Sequence, residues 1–163
     1  MTAQSSPRGL TPRADPRPTP YHRWNPETVM FELIENAVPS AIDDARNTID
    51  LAASRARGRY LTNGVGQDAT YTAKYLDAIN YVKAGYPADA TLFTWINAEA
   101  SATGLTTTQA ADRIKTIGDF WYGLKGPQIE AARIAGKDAL ETLSTVEAII
   151  SHTQGVVSAL DAM

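Results

Sequence analysis

The chain has 163 residues, 44% of them hydrophobic, and a formal net charge of −3, which is about one domain in size with enough apolar material for a core. That charge is too small to point to a strongly counter-charged partner, and the absence of cysteine excludes a disulfide framework and thiolate metal sites. No apolar run approaches the roughly 18 residues of a membrane span, and the N-terminus lacks a signal peptide's apolar core, so neither a membrane anchor nor export by that route is expected.

Residues 1–25 can form neither a helix nor a central strand. Pro7, Pro12, Pro16, Pro18 and Pro20 each fix the backbone and push the preceding residue toward extended geometry. Apart from Leu10 the segment has no large aliphatic side chain to bury, so it reads as an extended arm. Arg8, Arg13, Arg17 and Arg23 stand against Asp15, and Tyr21 and Trp24 supply two aromatic anchors at its far end. A disordered leader is the plain alternative. A protein surface that takes an extended peptide suits the arm better, with Arg13, Arg17, Tyr21, Arg23 and Trp24 as the expected partner-binding residues.

Asn25 and Pro26 look like the N-cap and first position of a helix, which runs through Val29, Met30, Leu33, Ile34 and Ala37 until Pro39 closes it. Ser40 then caps a second helix over 40–61, with Asp43 and Asp44 in its first turn and Arg55, Arg57 and Arg59 toward its end, as the helix dipole favours. Its buried face is Ile42, Ala45, Ile49, Ala52, Ala56 and Tyr60. Gly64 and Gly66 mark a loop, after which a third helix over 68–84 carries Tyr71, Tyr75, Ile79 and Val82 on one side and ends at Gly85. A fourth over 89–102 carries Leu92, Phe93, Trp95 and Ile96 and stops at Gly104. Thr106 and Gln109 have the spacing of a capping box.

From that box two apolar trains run at helical spacing. The first is Ala110, Ile114, Ile117, Trp121 and Leu124; the second begins at Ile129 and continues through Ala132, Gly136, Ala139, Leu143, Val146, Ile150, Thr153, Val157 and Leu160. The step of five from Leu124 to Ile129 contains Gly126 and Pro127, which predicts a kink. The second train is long enough to read as a coiled-coil seam. Its small residues suit packing within the chain, and its bulky ones, Leu143, Val146, Ile150, Val157 and Leu160, are expected to form a seam between copies, taken as a trimer. The competing reading is a helix that breaks at Gly155 and folds back. No stretch alternates with period two, so strands are not expected.

The predicted fold is all-α. An antiparallel hairpin of helices 40–61 and 68–84 packs on a long, kinked C-terminal helix, with an extended Pro-rich N-terminal arm. The division is an arm over 1–25, a helical body over 26–128 and a C-terminal helix over 129–163. No reaction is named by the residues. Gly64, Gly66 and Ala69 match the dinucleotide pattern G-x-G-x-x-A, but no apolar strand delivers them to a helix. His22 and His152 belong to no metal-binding spacing, no nucleophile elbow occurs, and Asp43, Asp44 and Glu130 read as solvated helix positions. The arm's arginines favour phosphate contact, but the acidic body argues against a nucleic-acid binder. No cofactor is expected.

Over residues 55–140 the order of small residues and turns is distinctive. It contains Arg55, Arg57, Arg59 and Tyr60, then Gly66 with Gln67, Tyr71 with Lys74, and Tyr86 with Pro87. Asn97, Glu99, Gly104 and Thr106 follow, then Trp121, Ile129, Glu130, Arg133, Gly136 and Lys137. This half of the chain resembles a helical module of tailed-bacteriophage tail and tail-fibre-associated proteins from phages of Gram-negative bacteria. The resemblance implies a non-enzymatic virion protein of the tail, fibre or baseplate region, with other tail or fibre proteins as partners and the virion as its place. It implies no catalytic residue. A tail-fibre assembly chaperone, absent from the finished particle, is the alternative.

Overall fold

The computed structural model describes residues 17–62 and 64–163, so Arg13 and most of the expected arm lie outside the described residues. The first departure from the expected order comes at Asn25. Its Oδ1 accepts from the Glu27 backbone N–H at 2.9 Å, the same short bond with which an N-cap begins a helix. Here it closes the tip of a hairpin. Strand β1 (His22–Asn25) pairs antiparallel with β2 (Met30–Leu33), Trp24 opposite Phe31 and Arg23 opposite Glu32. Val29, at φ 55°, helps turn the chain between them. The short helix expected to open at Pro26 is therefore a two-stranded ribbon.

Helix α1 follows as Ala37–Gly58. Pro39 does not end a helix; it lies in the first turn of α1, where backbone N–H groups have no intrahelical partner to lose. Ser40 accordingly sits inside the helix and not at its cap. Ala41, Ala45, Ile49, Ala52 and Ala56 are buried along one face, and their small size lets two other helices approach closely. The chain continues as α2 (Gln67–Lys83), α3 (Thr94–Thr103) and α4 (Thr107–Phe120). Gly85 and Gly104 take the positive φ values, 77° and 69°, that end α2 and α3. The predicted capping box is present, with Gln109 N–H donating to Thr106 Oγ1 at 3.2 Å and Thr106 N–H to Gln109 Oε1 at 2.9 Å.

Five residues, Trp121–Lys125, then form a π-helical turn in which Gly126 N–H donates to the Trp121 carbonyl five residues back. The wider turn absorbs the step of five between the two apolar trains, and α5 (Gly126–Ala139) continues the run. It ends in a 3₁₀ turn, Leu140–Thr142, and here the second major departure occurs. Leu143 is extended, and Thr145 Oγ1 accepts from Ala148 N–H at 3.2 Å to cap a separate helix, α6 (Val146–Asp161). The single helix expected over 129–160 is two helices. Gly155, where the competing reading put a break, lies inside α6.

The expected hairpin of helices 40–61 and 68–84 does not form. α1 packs on α5 and α6, whereas α2 packs on α3 and α4. Two cores result. One gathers the alanine face of α1 with Ile129, Leu140, Val146, Ile149 and Leu160. The other holds Ala78, Tyr81, Ile96, Ala100, Ala110 and Ile114. The α4–π–α5 run belongs to both and joins them. Among the described residues the fold is mostly helical, as read from the sequence, with a two-stranded ribbon in addition.

Candidate docking interface

Alternation along a strand puts His22, Trp24, Phe31 and Leu33 on one face of the ribbon and Arg23, Asn25, Met30 and Glu32 on the other. The Trp24 and Phe31 rings meet edge to face, centroids 5.2 Å apart at 69°. Trp24 is 43% and Leu33 48% exposed, and neither joins either core. On the opposite face Glu32 accepts from Asn25 Nδ2 and Thr28 Oγ1, both at 2.8 Å, and these bonds hold its carboxyl below the usual range. One face of the ribbon thus leaves Trp24 and Leu33 exposed, and the other carries the bonded Asn25–Glu32 pair beside the exposed Arg23 and Met30. Val29, at the tip, combines a β-branched side chain with a left-handed backbone, a strained pairing at an exposed position.

The ribbon is attached at its root. Ile34 N–H donates to the Tyr21 carbonyl at 2.9 Å, and both side chains pack on the α1/α5/α6 core. Beyond that root the strands make no extensive contact with any helix. Tyr21 donates its hydroxyl to Asp44 at 2.7 Å, and burial, then that bond, pushes its pKa up to about 12. Tyr21, expected to anchor a partner, instead anchors the ribbon to its own chain. Arg17 and Arg23 are exposed, the latter on the polar face, and Trp24 projects on the apolar face. Phe31 and Leu33 complete that face and were not singled out by sequence. Their signal is an alternation of period two only four residues long, too short to stand out beside an apparent helix start.

The residues expected to form a seam lie elsewhere. Val146 and Leu160 are fully buried in the core of their own chain, and Leu143, Ile150 and Val157 are half-buried against it. The fold-back of α6 brings this about, because it lays the bulky end of the train against α1. Between α1 and α6 a shallow groove of about 350 Å3 remains, bounded at one end by Tyr21. On the other flank of α1 an ion-pair ladder ties it to α5. Arg57 meets Glu130 at 2.5 Å, Arg133 meets Glu130 at 2.7 Å and Asp50 at 2.9 Å, and Lys137 meets Asp50 at 2.7 Å. Lys137, then Arg133, holds the Asp50 carboxyl below its ordinary range. The ribbon therefore stands on a braced three-helix platform.

The remaining candidates resolve plainly. The glycines of the G-x-G-x-x-A match connect α1 to α2, so a helix precedes them, and Gly66 takes φ 81° at the cap of α2. Glu130 is engaged by Arg57 and Arg133, His22 bonds Thr19 at 2.8 Å, and His152 bonds the Gly136 carbonyl at 2.8 Å. Among the described residues no group of acidic and histidine side chains is placed to hold a metal ion, and no helix is long and apolar enough to cross a membrane. Comparison with family models, curated proteins and solved structures finds no match to this chain.

Proposed function

We propose that the chain is a non-enzymatic structural protein of a bacteriophage particle, in its tail, fibre or baseplate region. It docks to neighbouring subunits through the ribbon His22–Leu33 and the arm that leads into it. The observation that carries the docking part of this reading is the exposure of Trp24 and Leu33, with Phe31 half-buried between them, on a ribbon that stands away from the helices. Two-stranded ribbons are marginal by themselves, and an exposed apolar face on one gains stability when a partner covers it. Arg17, before the ribbon, and Arg23, on the face opposite Trp24, orient the approach of an acidic neighbour. The neighbours are other tail or fibre proteins and further copies of the chain. Contact between copies runs through the ribbon, since Val146 and Leu160 are covered within the chain.

Mass spectrometry of purified particles tests the proposal. A virion component is found at fixed stoichiometry relative to the other tail proteins. A chain made during infection but missing from finished particles is instead the assembly chaperone that the resemblance also allows.

A further inference from the structure

Where the two helical units meet, a cleft of about 280 Å3 opens between the end of α1, the α2 and α4 helices and the π-helical turn. Aromatic rings wall it: Tyr60, Tyr71, Tyr75, Trp121 and Tyr122. The phenol hydroxyls are already occupied by the protein. Tyr60 donates to the Met163 carbonyl, Tyr71 to Thr62 at 2.9 Å and Tyr75 to Asp119 at 2.8 Å, while Tyr122 shares a bond with Thr72 at 2.9 Å. Tyr75 stacks on Tyr122, centroids 4.7 Å apart at 22°. Gly118 permits this stack, because a Cβ there would lie 2.0 Å from the Tyr75 ring. What remains for a guest is fixed ring surface.

The charges around the cleft choose the guest's sign. Lys74 and Glu99 meet at 2.5 Å and cancel one another. Arg113 lines the same cleft and has no hydrogen-bond or ion-pair partner among the described residues. Lys125 adds a second cation near the rim, its Nζ 5.7 Å from the Tyr60 ring centroid. The two acids beside the cleft, Glu99 and Asp119, are paired with Lys74 and Lys115, which leaves Arg113 and Lys125 to favour an anion. Its volume is just below the roughly 300 Å3 at which ligand sites commonly begin, and suits a guest no larger than a single ring. We propose that the cleft binds a small aromatic carboxylate, its ring against the aromatic wall and its carboxylate on the guanidinium fork of Arg113.

Amide NMR of the full chain titrated with benzoate tests this, with benzyl alcohol as a ring without charge and acetate as a charge without a ring. Benzoate is expected to shift the amides of α4 and the π-helical turn saturably and to bind about two- to fivefold tighter than benzyl alcohol, the scale of an ion pair to an exposed arginine. Acetate should give no saturable shift. Arg113 is exposed and bonded to no described residue, so Arg113→Gln keeps the fold and should bring benzoate down to the level of benzyl alcohol. Absence of saturable shifts, equal binding of benzoate and benzyl alcohol, or benzoate binding unchanged in Arg113→Gln would each overturn the proposal.

Discussion

Replacing Gly136 with alanine asks whether α5 and α6 are one helix or two. In an isolated helix the change is favourable by about 1 kcal/mol, because glycine loses more backbone entropy on ordering. At this position a Cβ would lie 2.7 Å from Val156 Cγ1 and 3.1 Å from Cγ2. Val156 is β-branched within α6, so its χ1 has little freedom to swing away. The helices are also held together at this point by His152 on the Gly136 carbonyl. Overpacking of such a contact costs about 1–3 kcal/mol, so Gly136→Ala should be neutral at best and destabilising by up to about 2 kcal/mol. Gly155→Ala is the matched control. It makes the same change inside α6, where a Cβ meets nothing within 4 Å, and should stabilise by about 1 kcal/mol. Thermal unfolding followed by circular dichroism reads the two variants as shifts of opposite sign or clear inequality, at about 2–4 °C per kcal/mol for a chain of this size. Were 129–160 a single straight helix, Gly136 and Val156 would stand about 30 Å apart, and both variants would stabilise equally. That result would refute the fold-back.

Thr106→Ala should cost about 1 kcal/mol by removing the acceptor for Gln109 N–H, read by urea denaturation. Asp50→Asn should weaken the α1–α5 ladder by about 0.5–1 kcal/mol, a modest value because Asp50 is 45% exposed. The folded state lowers the pKa of Asp50, so its contribution is complete above the unfolded carboxylate value near about 4 and disappears as pH falls through the lowered one. Acid titration of unfolding should therefore show Asp50→Asn losing less stability than the wild type below about pH 4.

What was legible in the sequence was mostly local. The capping box at Thr106, the glycines that end α2 and α3, and the alanine face of α1 each depend on neighbours within a turn or two, and each is where the pattern put it. The ribbon was missed because the Asn25–Glu27 bond serves a hairpin tip as readily as a helix cap, and each strand has only four residues. A proline that ends one helix and a proline in the first turn of the next look alike in sequence, so Pro39 alone does not tell the two apart. The sequence offers a fold-back only as the alternative, and at Gly155 instead of Leu143–Thr145, because α5 and α6 bury their stripes against the same helix and the apolar period runs across the break unaltered. The signal that marks it is Thr145 with Glu147 in the turn after it, a helix start hidden inside the train. The separation of α1 from α2 had no local signal, since it depends on which distant helix each small-residue face meets.

Incorporation of the double variant Trp24→Ser and Leu33→Ser into particles tests the docking claim most directly. Both side chains are about half exposed and outside the two cores, so the helical body should keep its wild-type circular dichroism signal and melting temperature. Loss of a central aromatic anchor typically weakens an interface by 2 kcal/mol or more, roughly thirtyfold. The account predicts a folded variant that is depleted from purified particles by about that factor. A variant found in particles at the wild-type copy number would contradict it.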